Sequence, residues 1–291
     1  MSRLPHRVLW GLLVAGASCT RPTAIVVTAL SVDQLEGGNV IGITPPQLEE
    51  RIGSRLEAAR FVVLKPGTAV PAETKGWTVK VAVGLEEPDA ETGQGARVSV
   101  VMHLRQYGAL EGFEVRSVVP SRQVANDVEG VQAAAREALD AALSRVVREA
   151  KATIELEPAK DDALVAHLKD GDEATRDAAV RLLVGRRNLA ALPPLLEHLK
   201  DPDLDVVRRA VGRLVELRAP EAVNPMIEAT RRQGPVVERE IVFAVGAIGG
   251  EDAEAYLDLV ATGHDDPVVR ASAEAALGEL RARRGRQGAS K

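Results

Sequence analysis

The stretch LPPLLEHLKDPDLDVVRRAVGRLVEL, residues 192–217, decides how the second half of the chain folds. Leu192 to Asp201 reads as a first helix. At Asp201-Pro202-Asp203 it breaks, because an aspartate can cap there and a proline loses no needed amide. Val206, Ala210, Val211, Leu214 and Leu217 then lie along one face of a second helix. The same plan recurs every 31 residues. Leu164, Leu195, Met226 and Leu257 keep the step, as do Val180, Val211, Val242 and Ala273, and Leu183, Leu214, Val245 and Ala276. A fixed period of this length means stacked helical hairpins, none able to bury its apolar face without a neighbour.

Arg208, Arg239 and Arg270 keep the period too. The first unit departs from it, with Asp177 at the ladder position and Arg176 displaced by one. The third unit lacks the Asp-Pro break and has Gln233-Gly234-Pro235 instead. With Leu-Lys-Asp-Pro-Asp and the run Asp265-Asp266-Pro267-Val268-Val269-Arg270 in view, residues 158–285 resemble HEAT repeats, of the short bacterial form also found in phycobilin lyases. The resemblance implies a right-handed α-α superhelix of about four units that binds a protein partner through its surface. It also implies that the arginine ladder bonds acidic and backbone groups of neighbouring units. The competing reading puts Arg208, Arg239 and Arg270 on a concave face that receives partner carboxylates or phosphates.

Residues 24–157 alternate strands and helices. Ala24 to Val32 is β-branched and apolar, a strand candidate. Thr44-Pro45-Pro46-Gln47 opens a helix with a capping box, and Leu48, Ile52, Leu56 and Ala59 share its face. Phe61 to Leu64 is a short strand. Trp77, Val79, Val81 and Val83 alternate with Thr78 and Lys80, and Val98, Val100, Met102 and Leu104 alternate with Arg97, Ser99 and His103. An acidic loop over residues 86–95 joins these two strands, and Phe113 to Val119 makes a fifth. From Gly130 a long helix turns Val131, Ala135, Ala138, Leu139, Ala142, Val146 and Ala150 inward. About five strands and two helices predict an α+β sandwich with both helices on one sheet face. The order of elements resembles small periplasmic α/β domains such as that of TolB, and no functional residue is carried over from it.

The chain starts Met-Ser-Arg-Leu-Pro-His-Arg, continues with an apolar run from Val8 to Val14, and reaches Gly16-Ala17-Ser18-Cys19. A basic start, a short apolar stretch and small residues before a cleavage point form an export signal, too short to remain as a membrane span. The ending resembles the lipobox of bacterial lipoproteins. That resemblance implies a signal peptide over residues 1–18, lipidation at Cys19, a tether over residues 19–23 and anchoring in the outer membrane, facing the periplasm. Cys19 is the only cysteine, so no internal disulfide exists. Arg281, Arg283, Arg284, Arg286 and Lys291 read as a frayed, solvated end, with residues 286–291 a disordered tail.

The formal net charge is −5 and aromatics are 2% of the 291 residues, which argues against nucleic acid. Such a core also offers little for sugars or bases to stack on. His167 and His198 lie one repeat apart. Equivalent positions on stacked helices are about 8–10 Å apart, too far to share one ion, so no metal is expected. Gly246 to Gly250 ends a helix and does not form a phosphate loop. No nucleophile elbow or paired acid–base constellation stands out, so no enzyme, cofactor or small-molecule substrate is expected. The sequence points to a lipid-anchored envelope adaptor or scaffold with a protein partner. The alternative is a component or activator of an envelope complex, for cell-wall synthesis or export, that works through the α+β domain with the repeats regulatory.

Overall fold

A computed structural model describes residues 24–35, 41–65, 67–69, 76–86, 96–121, 128–230 and 235–289. The export signal, Cys19, the tether and most of the loop over residues 86–95 lie outside them. An α+β unit comes first and an all-α repeat follows. Strand β1 (Ile25–Leu35) leads through helix α1 (Pro45–Ala58) to β2 (Phe61–Val63), then come β3 (Gly76–Glu86), β4 (Arg97–Gln106), β5 (Phe113–Pro120) and the long helix α2 (Val128–Leu156). The sheet order is β2-β1-β3-β4-β5, with β1 parallel to both neighbours and β3, β4 and β5 an antiparallel meander.

On the core face the period-two alternation does what it predicts. Val79, Val81, Val83, Val98, Val100, Met102 and Leu104 are buried with Leu48, Ile52 and Leu56 of α1 and with Ala138, Leu139, Ala142 and Val146 of α2. On the other side of the pleat Lys80, His103 and Arg105 are exposed, whereas Ser99, expected to be wetter, is buried and Arg97 is nearly so against Asp205 of the helical part. The box at the start of α1 forms, the Thr44 amide donating to Gln47 Oε1 at 2.9 Å. Helix α2 begins two residues before Gly130. Val128 and Val131 are both exposed, so the buried stripe starts at Ala134 and not at Val131.

The rest is helical: α3 (Asp161–Asp170), α4 (Glu173–Gly185), α5 (Leu192–His198), α6 (Leu204–Leu217), α7 (Val223–Thr230), α8 (Pro235–Ile248), α9 (Glu251–Gly263) and α10 (Pro267–Ala289). They pair as hairpins α3/α4, α5/α6, α7/α8 and α9/α10. All twelve apolar positions that define the 31-residue step are buried. Capping aspartates set the starts of the second helices in the first, second and fourth units. Asp172 accepts from the Thr175 amide at 2.8 Å and Asp266 from the Val268 amide at 2.7 Å. In the second unit the cap is Asp203, with Asp201 two residues before it accepting the Asp203 amide, so α6 starts at Leu204 and not at Val206.

The second helices stack directly: α4 on α6, α6 on α8, α8 on α10. Helix α2 packs against α4 as well as against β4 and β5, so it is also the first member of that row. At the other end, α10 runs to Ala289, and residues 286–289 are helix, not the disordered tail expected of them. The arginines thought to fray are engaged. Arg281 reaches Glu254 and Asp258 at 2.9 and 3.2 Å, Arg284 reaches Glu254 at 3.0 Å, and Arg283 donates to the terminal carbonyls of Gly246 and Ala247 on α8. These carbonyls have no partner within their own helix, which is why the arginine goes there. Gly246 allows the approach of α10, since a Cβ there would meet the Ala276 Cβ at 2.9 Å.

Truncating Leu214, fully buried in α6, should lower stability by about 2–5 kcal/mol, whereas Leu259→Ala on the exposed side of α9 should change it by less than about 0.5 kcal/mol. Denaturant midpoints compare the two. Equal losses would mean that the stacked row does not carry the stability.

Candidate functional site

The densest polar arrangement lies where the sheet unit meets the first two hairpins. Glu149 comes from the inner turn of α2, Asp177 and Arg181 from α4, and Arg209 and Arg213 from α6. Residues 173, 177 and 181 fall one helical turn apart, so Glu173, Asp177 and Arg181 share one face of α4, and Arg209 and Arg213 share one face of α6. The Glu149 carboxylate receives Arg181 at 2.5 Å and Arg213 at 3.4 Å. Its side chain is only 12% exposed, so this ion triad is largely shielded from water. Arg181 also donates to the Glu114 carbonyl on β5, tying the repeat row to the outer strand of the sheet. A second lock joins the same two units. Arg97 at the start of β4 meets Asp205 in the first turn of α6 at 2.6 Å, both side chains nearly buried.

Burial raises the pKa of the Asp177 carboxyl above the ordinary aspartate value, against the pull of Arg213. Burial, and then the neighbouring charge of Arg181, lowers that of Arg213. At the N-terminus of α4 the Thr175 amide holds Asp172 below its usual range.

Two depressions meet here and share Glu173, Asp177 and Arg209. One is a groove of about 200 Å³ between α4 and α6, bordered by Leu168, Pro194, His198 and Val206. The other runs toward the sheet past Arg116, Arg145 and Arg148. The surface is a groove with charged walls. No group of three His, Cys, Asp or Glu among the described residues is placed to hold a metal ion.

The arginine ladder lies away from this cleft's charged floor and does varied work. Arg208 bonds Glu240 in the next unit at 2.9 Å. Arg270 donates to the carbonyls of His264 and Asp265 just before its own helix, as Arg176 does to Gly171 in the first unit at 2.6 Å. Arg239 is half-buried with no hydrogen bond or ion pair among the described residues. The displaced Arg176 therefore does for α4 what Arg270 does for α10, which leaves position 177 open to a different residue. Asp177 is that residue, and it points to the cleft that sequence reasoning did not locate. The other members, Glu149, Arg181 and Arg213, carry no periodic signal. His198 borders the groove and His167 does not.

A protein-family model for HEAT repeats matches residues 161–242, from the first turn of α3 to the middle of α8. These are HEAT-like repeats. The match spans the two hairpins that build the cleft and the third as far as the middle of α8. The chain matches no curated protein. The HEAT-like row accordingly stands on its own geometry: a sheet unit at one end, four hairpins, and a charged groove where the two meet.

Glu149→Gln should cost about 3 kcal/mol, because it takes from two largely shielded guanidinium groups the carboxylate they share. Trp77 lies in the sheet unit, so its fluorescence should unfold together with the helical circular dichroism in the wild type. In the variant the two transitions should separate. Coincident, unshifted transitions would mean that the triad does not couple the units. For Asp177 the pKa is raised in the folded state, so its stability contribution is complete below the unfolded pKa and is lost as pH rises through the folded one. Asp177→Asn escapes that loss. Its stability relative to wild type should therefore grow between about pH 4 and pH 7, and a difference that shrinks over this range would contradict the burial argument.

Proposed function

We propose that this protein is a lipid-anchored envelope adaptor whose HEAT-like surface holds a protein partner without chemistry of its own. The observation that carries the reading is the stacked row of hairpins with a groove between its first two units. HEAT-like repeats are generally protein-binding, and an extended stack of this kind recognises its partner by shape. Anchoring rests on the N-terminal sequence, in which Gly16-Ala17-Ser18 precedes Cys19. Acyl chains there add about 0.8 kcal/mol per buried methylene, so several together hold the chain at a membrane. No described helix is long and apolar enough to cross one. Thr20 follows the cysteine, which supports the outer membrane, with the folded units in the periplasm.

A photo-crosslinking residue at Arg209, on the groove, should give a discrete adduct in intact envelopes. The same residue at Lys80, on the exposed sheet face, should give none. An adduct from Lys80 alone would transfer the partner-binding role to the α+β unit and overturn the reading. Labelled palmitate should enter the wild type and not Cys19→Ala, and an unlabelled wild type would remove the anchor.

A further inference from the structure

We infer that the cleft between α2, α4 and α6 takes an extended peptide segment in which carboxylate side chains alternate with apolar ones. The inference rests on the scaffold reading and specifies the partner's chemistry. The first support is charge. Arg116, Arg145, Arg148 and Arg209 line the sheet-side half of the cleft, facing Glu149, Glu173 and Asp177. One of those acids, Glu149, is already held by Arg181 and Arg213, and burial disfavours the charge of a second, Asp177. Arg145, Arg148 and Arg209 form no hydrogen bond or ion pair among the described residues. The cleft thus has a local cationic excess in a chain whose formal net charge is −5. Guanidinium groups bind carboxylates with two parallel hydrogen bonds, the strongest arrangement open to such a pair.

The second support is shape. Past Arg209 the cleft continues into the groove bordered by Leu168, Pro194 and Val206, whose side chains are half-buried. A ligand lying along both halves meets cations first, then Asp177 and Glu173, then the apolar side chains of Leu168, Pro194 and Val206 set among Arg176, His198 and Asp201. Acids interleaved among the arginines suit separate single charges better than a phosphate, whose charge is concentrated in one place and would meet those carboxylates. Aromatic residues, which would stack on bases, are 2% of the chain. A peptide satisfies both halves.

The test is fluorescence anisotropy of labelled peptides against the purified full chain, one peptide of alternating Glu and Leu and another of alternating Gln and Leu. The Glu–Leu peptide should bind about tenfold more tightly, and Arg145→Glu and Arg148→Glu should each weaken it about tenfold. Both residues are exposed, so melting temperatures should stay at the wild-type value, and Arg105→Glu on the far sheet face should bind as wild type. Equal binding of the two peptides, no binding of either, or an equal loss in Arg105→Glu would overturn the inference. So would displacement of the peptide by inorganic phosphate at lower concentration than by succinate, which would make the cleft a phosphate site. Should the Arg209 crosslink still form in envelopes of Arg145→Glu while the peptides fail to bind, the scaffold reading stands and this one alone falls.

Discussion

A row of hairpins that hide their apolar stripes only against one another cannot simply stop, because each end exposes a stripe to water. In this protein α2 resolves the problem at one end. One side of that helix closes the sheet core, with Leu139, Ala142 and Val146 among the valines of β3 and β4, and another side receives α4. The sheet unit is therefore the lid of the repeat array as well as a domain in its own right. At the far end α10 extends beyond the usual length of its counterparts, and its arginines fold back on α8 and α9. Each end is thus closed by a different device, a shared helix of the sheet unit at one and a lengthened last helix at the other.

How much of this could be read in advance follows from how local each signal is. The hairpins were legible because Leu164, Leu195, Met226 and Leu257 repeat the same environment at one step, and all four are buried. The strands were legible because pleating turns alternation into burial, as Val98, Val100 and Met102 illustrate. Sheet order was not, since nothing in the residues of β1 states that it lies between β2 and β3. The double duty of α2 was hidden for a related reason. Its alanines look like one inward stripe, and a helix that packs on two layers shows no period that separates them.

The cleft was half legible. Asp177 stood out as the residue that breaks the ladder, yet its partners Glu149 and Arg213 lie on other elements and obey no spacing. Only the fold brings them together. Their grouping is costly in desolvation, as the raised carboxyl of Asp177 and the depressed guanidinium of Arg213 both indicate. A buried ionic cluster of this kind contributes less to net stability than apolar side chains of the same volume. What it supplies is orientation: the triad, the bond to the Glu114 carbonyl and the Arg97–Asp205 pair all form together in one docking of the two units.

Closure of the array by the sheet also sets how such a protein can change length. A further unit placed between α6 and α7 would carry everything downstream of it about 10 Å farther along the stack, one helix spacing. The docking of α4 on α2 would remain untouched. Reach and docking are thereby separate variables in this architecture: the distance spanned from the sheet unit can grow by whole units while the junction at its base keeps its shape.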